Sequence, residues 1–470
     1  MAHVRVLRHY IHTPYIFTSI IEAVLIMFAA FLGHLSRYGE LPSFEDYWLV
    51  ALSFSLIHVL SMFAMGVYES RLREGYAGMM LRTAVSIFLL GSMAYAIFAY
   101  FIPAIEMGRG VLLFSATEAF VLVAVSRWLT NQFVDEDALK TRVIILGTGH
   151  RAKKIASRMR RKSDQRAFLL LGFLKLPDHE DFVSEYGVNI LDTKLSLTEF
   201  CAEHNVQEIV VAIDERRRDG NSAGLPIDEL LECRTSGIEV CEVQEFIERE
   251  ASKVDVDLLR PSWMIFSDGF VANPVRRAIK NSFDKIAALL LLSVTWPLML
   301  VTAIAVGLPS FFRDPILYRQ ERVGLDGERF DVLKFRSMTV DAEKSGAVWA
   351  QANDPRVTRI GAIIRRSRID ELPQLFNVLK GDMSFVGPRP ERPVFVQEIC
   401  EEVPYYEQRH KVKPGITGWA QLCYPYGASI DDAKEKLQYD LYYLKNHSIL
   451  LDLIILIQTV EVVLVGEGAR

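Results

Sequence analysis

The densest chemistry in the 470-residue chain is an adjacent pair of carboxylates, Asp370-Glu371, followed by Leu-Pro-Gln-Leu-Phe-Asn377. Five arginines, Arg356, Arg359, Arg365, Arg366 and Arg368, lie just upstream. Paired acids beside many guanidiniums suit a site for a phosphate and a divalent cation. A carboxylate in such a place can also attack phosphorus and form an acyl phosphate. Taken alone, the charge pattern has a simpler reading, a helix cap with surface ion pairs. The spacing of the neighbours says which element would present the acids. Leu372, Leu375, Phe376 and Leu379 recur at helical intervals, Pro373 suits a first helical turn, and Gly381 closes the run. The spacing therefore predicts that the dyad sits at an exposed helix start, where the helix dipole favours negative charge.

Further stretches rich in Gly, Pro and basic residues surround the dyad. They are Tyr318–Gly324, Phe330–Met338 with its Lys334-Phe-Arg336, Asn353–Gly361, Gly381–Glu391 with its Pro388-Arg389-Pro390, and Lys413–Gln421. The chain as a whole is long enough for about three domains. Half its residues are apolar and the mean hydropathy is +0.17, which excludes a disordered or fibrous chain. With 53 basic and 58 acidic side chains, net −5, charge-driven nucleic-acid binding is also excluded. Cys201, Cys233, Cys241, Cys400 and Cys423 form no CxxC pair, so a disulfide framework or zinc site is not expected.

Apolar residues concentrate in segments near residues 15–34, 48–67, 83–105 and 110–126, each long enough to cross a bilayer. Arg5, Arg8, Arg71, Arg73, Arg82, Arg127 and Lys140 flank them on one side, and by the positive-inside rule both ends of a bundle over 1–135 are cytoplasmic. Glu22 and Glu118 fall within these spans, either as an ion path or as buried acids of the bundle. A fifth apolar run, Ile286–Leu308, has basic residues on both flanks and Pro297 in its middle. The run reads either as a fifth span or as a re-entrant hairpin over about 286–311, bent at Trp296-Pro297, and the hairpin accounts for both observations. The apolar run Ile449–Val465 carries Asp452, Gln458 and Glu461 and reads as an interfacial or packing helix.

Between the two membrane regions, residues 141–262 read as an α/β unit. Arg142-Val-Ile-Ile-Leu-Gly-Thr-Gly-His-Arg-Ala152 is an apolar strand meeting Gly147, Gly149 and Ala152, followed by a helical run to Met159. Strand-like runs recur at Phe168–Phe173, Glu208–Ile213 and Ile238–Val243, an alternation that predicts a parallel sheet. The G-x-G-x-x-A turn is either a nucleotide pocket or a degenerate Rossmann-like turn with no ligand. No acid stands at Leu174-Lys175, where a ribose hydroxyl would want one.

The order of the C-terminal motifs resembles the catalytic core of the bacterial monotopic phosphoglycosyl transferases, also called polyprenyl-phosphate sugar-1-phosphate transferases. The resemblance covers about residues 275–470. It rests on Phe283-Asp-Lys285, Gln320–Gly324, Lys334–Met338, Asp354–Gly361, Asp370–Asn377, Gly381–Glu391, Val412–Gln421 and Lys436–Tyr443. The whole arrangement of a four-span bundle, a Rossmann-like domain and a catalytic core is similar to the large exopolysaccharide-initiating members. The resemblance implies transfer of a sugar-1-phosphate from a UDP-sugar to undecaprenyl phosphate, releasing UMP, at the cytoplasmic face of a bacterial inner membrane. It implies Asp370 as nucleophile, Glu371 as its partner in metal binding or proton handling, and magnesium or manganese as cofactor. It further implies Arg389 as a phosphate ligand, Lys334 and Arg336 as contacts to substrate anions, and a possible homodimer. Ile369 stands where Leu is usual, and Phe312-Arg-Asp-Pro315 replaces a glycine-rich approach. Membrane-bound nucleotide-sugar dehydratases share the bundle and the Rossmann domain, but no Tyr here has Lys four residues later. A non-enzymatic scaffold for polysaccharide assembly would leave Asp370 and Glu371 dispensable.

Overall fold

A computed structural model describes the chain except residues 1–2, 7–8, 69–75, 134–139, 159–164, 166, 177–179, 192–194, 215–224, 271–273, 343–353, 425–426, 428 and 466–470. Arg8, Arg71, Arg73, Met159 and Asn353 thus lie outside the described residues. The rest forms two compact units, Met1–Ala251 and Ser252–Arg470.

The first unit opens with helices α1 (Thr13–Tyr38), α2 (Phe44–Ala64), α3 (Tyr76–Ala84), α4 (Ser92–Phe101) and α5 (Arg109–Phe133). A π-helical stretch, Val85–Gly91, joins α3 to α4. Apolar side chains cover these helices all round. Ile26, Phe54, Ile87 and Val123 are buried, while Phe17, Leu56, Ile97 and Leu113 face outward. That distribution suits lipid on the outside and packing within. Among the described residues five helical segments are long and apolar enough to cross a membrane, four here and one in the second unit. Glu22 and Glu118 have different fates. Glu22 is fully buried and grips Arg127 at 2.6 and 2.8 Å, while the Tyr68 hydroxyl donates to it at 2.5 Å. Glu118 accepts from Ser36 at an exposed position. Glu22 is therefore a satisfied acid of the bundle.

The α/β part of this unit follows from its continuous apolar strands, which read as buried on both faces. β1 (Thr141–Leu146), β2 (Phe168–Leu174), β3 (Ile190–Leu191), β4 (Glu208–Val211) and β5 (Glu239–Glu242) form one parallel sheet in the order β3-β2-β1-β4-β5. Helix α6 (His150–Arg158) leaves β1 through the Gly147–Gly149 turn.

In the second unit, residues 252–262, which continue the middle domain in sequence, pack on the C-terminal core. The Val254 amide donates to Gln438 O at 2.9 Å and Trp419 Nε1 to Ser252 O at 3.0 Å. Helix α7 (Pro274–Gly307) is one 34-residue element that contains Pro297, so the expected bend at Trp296-Pro297 does not split it into two helices. Strands β6 (Leu317–Val323) and β7 (Arg329–Phe335) pair antiparallel. Helices α8 (Arg359–Arg366) and α9 (Gln374–Lys380) follow, then the parallel pair β8 (Ser384–Val386) and β9 (Gly415–Thr417). Helices α10 (Ile430–Asn446) and α11 (Ile449–Val465) close the unit. Leu375, Val378, Met383, Val386, Leu437 and Leu441 build the core that anchors α9 and β8.

Candidate active site

The site is assembled where β7 meets the segment between α8 and α9. Asn377 of α9 stitches the two together. Its Oδ1 accepts from the Leu333 amide at 3.0 Å, and its Nδ2 donates to Asp331 O at 2.7 Å. Lys334, one residue further along β7, thereby meets Glu371, Nζ to Oε1 at 2.9 Å. Arg368 and Arg389 approach the same carboxylate oxygen, each at 3.7 Å. Three cations from separate parts of the sequence thus converge on one acid.

The dyad itself is placed otherwise than the spacing predicts. Arg368 takes a left-handed conformation, φ 58°, that turns the chain inward after α8. Asp370 and Glu371 then lie on a one-turn 3-10 helix, Ile369–Glu371, and α9 begins only at Gln374 behind Pro373. Asp370 is 7% exposed, so the pair is not at an exposed helix start. Its electrostatic support comes from side-chain cations, chiefly Lys334.

The two acids are electrostatically unlike. Burial pushes Glu371 up, but Lys334, then Arg389 and Arg368, outweigh it and hold the carboxyl at about 2. Burial raises Asp370 above the ordinary carboxylate value, and Lys334 offsets only part of that. Burial lowers Lys334 despite its partner Glu371. Asp370 Oδ1 is buried with no hydrogen-bond partner among the described residues. That orphaned oxygen fits one position of a cation's shell, whereas Glu371 Oε1 already faces three cations. Among the described residues no group of three or more His, Cys, Asp or Glu gathers to hold a metal, so oxygens of a substrate would have to complete any shell.

The Pro388-Arg389-Pro390 loop is held carbonyl by carbonyl. Gly415 N donates to Pro388 O at 3.0 Å, Arg409 Nη2 to Arg389 O at 2.9 Å, and Arg322 Nη1 to Pro390 O at 3.1 Å. Arg409 is buried and paired with Asp440 at 2.8 Å. Its backbone thus fixed, Arg389 leaves 41% of its side chain exposed beside the dyad. Arg336 is engaged elsewhere, in an ion pair with Asp314 at 2.8 Å and a hydrogen bond to Val306 O at 3.3 Å. Arg356 pairs with Asp354. The sequence offers Arg368 only as one of five upstream arginines and gives Asn377 and Arg409 no role of their own. The three-residue spacing from Arg368 to Glu371 was a usable signal; Arg409, outside every motif quoted above, gave none.

Residues 275–466 match the family described as bacterial sugar transferase, and residues 63–219 the one described as CoA-binding domain. The chain is 39% identical over 192 residues to the UDP-glucose:undecaprenyl-phosphate glucose-1-phosphate transferase of Caulobacter vibrioides, covering 40% of this chain and 71% of that relative. The chain belongs to the bacterial sugar transferase family. The chain is also 42% identical over 253 residues to the UDP-N-acetylgalactosamine-undecaprenyl-phosphate N-acetylgalactosaminephosphotransferase of Aeromonas hydrophila, covering 54% of this chain and 59% of the relative. It is 32% identical over 363 residues to the undecaprenyl-phosphate glucose phosphotransferase of Komagataeibacter xylinus, covering 76% and 65%. The chain therefore spans less than two thirds of the length of the Aeromonas and Komagataeibacter relatives. Two of these relatives are named for glucose and one for N-acetylgalactosamine.

Proposed function

We propose that this transferase moves a sugar-1-phosphate from a UDP-sugar to undecaprenyl phosphate through a covalent intermediate on Asp370, as the first membrane step of exopolysaccharide synthesis. The observation that carries the reading is the asymmetry of the dyad. Glu371 is held ionised by three cations and is correspondingly weakly basic. Asp370 keeps a buried, unpartnered oxygen and a raised pKa, the properties of the better nucleophile. In the first displacement an Asp370 oxygen bonds to the phosphorus that carries the sugar, and the bond from that phosphorus to the bridging oxygen breaks, releasing UMP. In the second, an oxygen of undecaprenyl phosphate attacks the same phosphorus and the carboxylate leaves. Lys334 and Arg389 supply positive charge where the phosphoryl oxygens gain negative charge. A magnesium or manganese ion, when bound, would neutralise diphosphate charge, with Asp370 Oδ1 the oxygen free to hold it.

The membrane arrangement belongs to the same proposal: four crossings by the N-terminal helices and a non-crossing α7, at the cytoplasmic face of a bacterial inner membrane. Contacts at both ends of α7 support the second point. Near its start Lys280 meets Asp452 at 2.7 Å, and near its end Val306 O accepts from Arg336, both within the unit that holds the dyad. A helix anchored at both ends to one domain, with basic flanks, suits a re-entrant course better than a crossing. A homodimer is compatible with this reading and is not required by it.

The test is to incubate the purified protein with a radiolabelled UDP-sugar and divalent cation but no lipid acceptor. The expected result is release of UMP and a sugar-phosphate adduct mapped to Asp370. An adduct on another residue, or turnover only when both substrates are present together, would overturn the mechanism.

A further inference from the structure

The middle domain carries the outline of a nucleotide site. Its Gly147-Thr-Gly149 turn opens α6, and β1 and β4 flank the point where the strand order reverses. In sheets of this order a ligand's phosphates belong in that crevice, on the first amides of the helix. Here the protein fills the seat with its own carboxylate. Asp214, three residues past β4, accepts from the His150 amide at 2.5 Å and from the Arg151 amide at 2.9 Å. A Cβ built on Gly149 would collide with that carboxylate, and its three nearest neighbours would all be Asp214 atoms. Gly149 is not at positive φ, so backbone strain does not demand glycine there. The segment after β2 closes the other side. Thr148 Oγ1 donates to Glu180 O at 3.0 Å, the Phe182 amide donates to Thr148 O at 2.9 Å, and the Phe182 ring stacks on His150 at 4.0 Å.

We propose that this turn is a self-capped joint closed to nucleotides, with Asp214 standing where a pyrophosphate would sit. The residues therefore do not fit the coenzyme that the domain's family description implies. An entering diphosphate would have to displace two hydrogen bonds and place its charge beside a carboxylate. The glycine pattern survives in sequence because Gly149 makes room for Asp214.

A double-mutant cycle on the full-length protein tests this. Gly149→Ala should lower the thermal midpoint by roughly 3 °C or more when Asp214 is present, and by about 1 °C or less in an Asp214→Ala background. Equal losses in the two backgrounds would overturn the proposal. A second measurement holds even if a variant fails to fold. Hydrogen exchange over residues 147–158 of the wild-type protein should be unchanged by millimolar CoA or NAD. Protection gained there with either ligand would show the site open and sink the idea.

Discussion

Glu22 in the helical bundle and Asp370 in the C-terminal unit are both buried carboxylates, and their surroundings diverge. Glu22 has both oxygens engaged by Arg127 and one also by Tyr68, and Arg127 in turn donates to Thr83. Every strong partner is present, so the group is locked. Asp370 has cations nearby but an oxygen that no group among the described residues bonds. A buried polar atom without a partner is costly. Here the cost falls where an incoming phosphorus or cation would relieve it. On the proposed mechanism, what sets the reacting acid apart is not burial but incomplete satisfaction beside positive charge.

The comparison breaks most sharply if Asp370 is replaced. Asp370→Asn is expected to cost at least about a thousandfold in kcat, roughly 4 kcal/mol, with the thermal midpoint nearly unchanged. Near-wild-type turnover would mean that the unpaired oxygen has no chemical part. Glu22→Gln should give the opposite signature. It leaves Arg127 buried without its counter-charge, worth about 3 kcal/mol of stability, while the protein that remains folded keeps its rate per active site. A lower midpoint in detergent with unchanged specific activity after correcting for folded fraction is the expected result.

Lys334→Met comes next, at about a hundredfold in kcat/KM, the scale of removing one preorganised donor. Its pH profile sharpens the test. Asp370 must be ionised to attack, and its pKa is raised, so the acid limb follows Asp370 while Glu371, at about 2, stays charged. Lys334 is the leading cation that lowers Asp370. Removing it should move the acid limb to higher pH. On the alkaline side, wild-type activity should fall below the ordinary lysine range, because burial lowers Lys334. An acid limb that stays put in Lys334→Met would separate Lys334 from Asp370.

Much of this was legible in the sequence for physical reasons. Continuous apolar runs with charged flanks announce helices for lipid, and the alternation from Val143 to Val243 announces a parallel sheet, because both patterns are set by local burial. The dyad and its arginines were visible as residue types. Their geometry was not, because it depends on one left-handed residue, Arg368, and on Asn377 joining one strand to its helix across 44 and 46 positions. Asp214 was equally hidden: a G-x-G-x-x-A pattern records that glycine is needed, not which carboxylate needs it.

The smallest expected effect separates two cations that the sequence treats alike. Lys334 and Arg336 stand two apart, and in a continuing strand they would share a face and both reach the dyad. Strand β7 ends at Phe335, and the Arg336 amide still donates to Ile316 O at 2.9 Å, in the register that pairs Leu317 with Phe335. What separates the two cations is their partners: at the open end of the hairpin the Arg336 side chain goes to Asp314 and Val306 O near the end of α7. Its work there is to hold a helix end through one carbonyl and one partly exposed ion pair, together about 1 kcal/mol. Arg336→Ala should accordingly change kcat/KM for the UDP-sugar by no more than about threefold, with a small loss of thermal stability. A hundredfold loss, matching Lys334→Met, would mean that Arg336 leaves Asp314 to meet the substrate and that the two cations act as one pair after all.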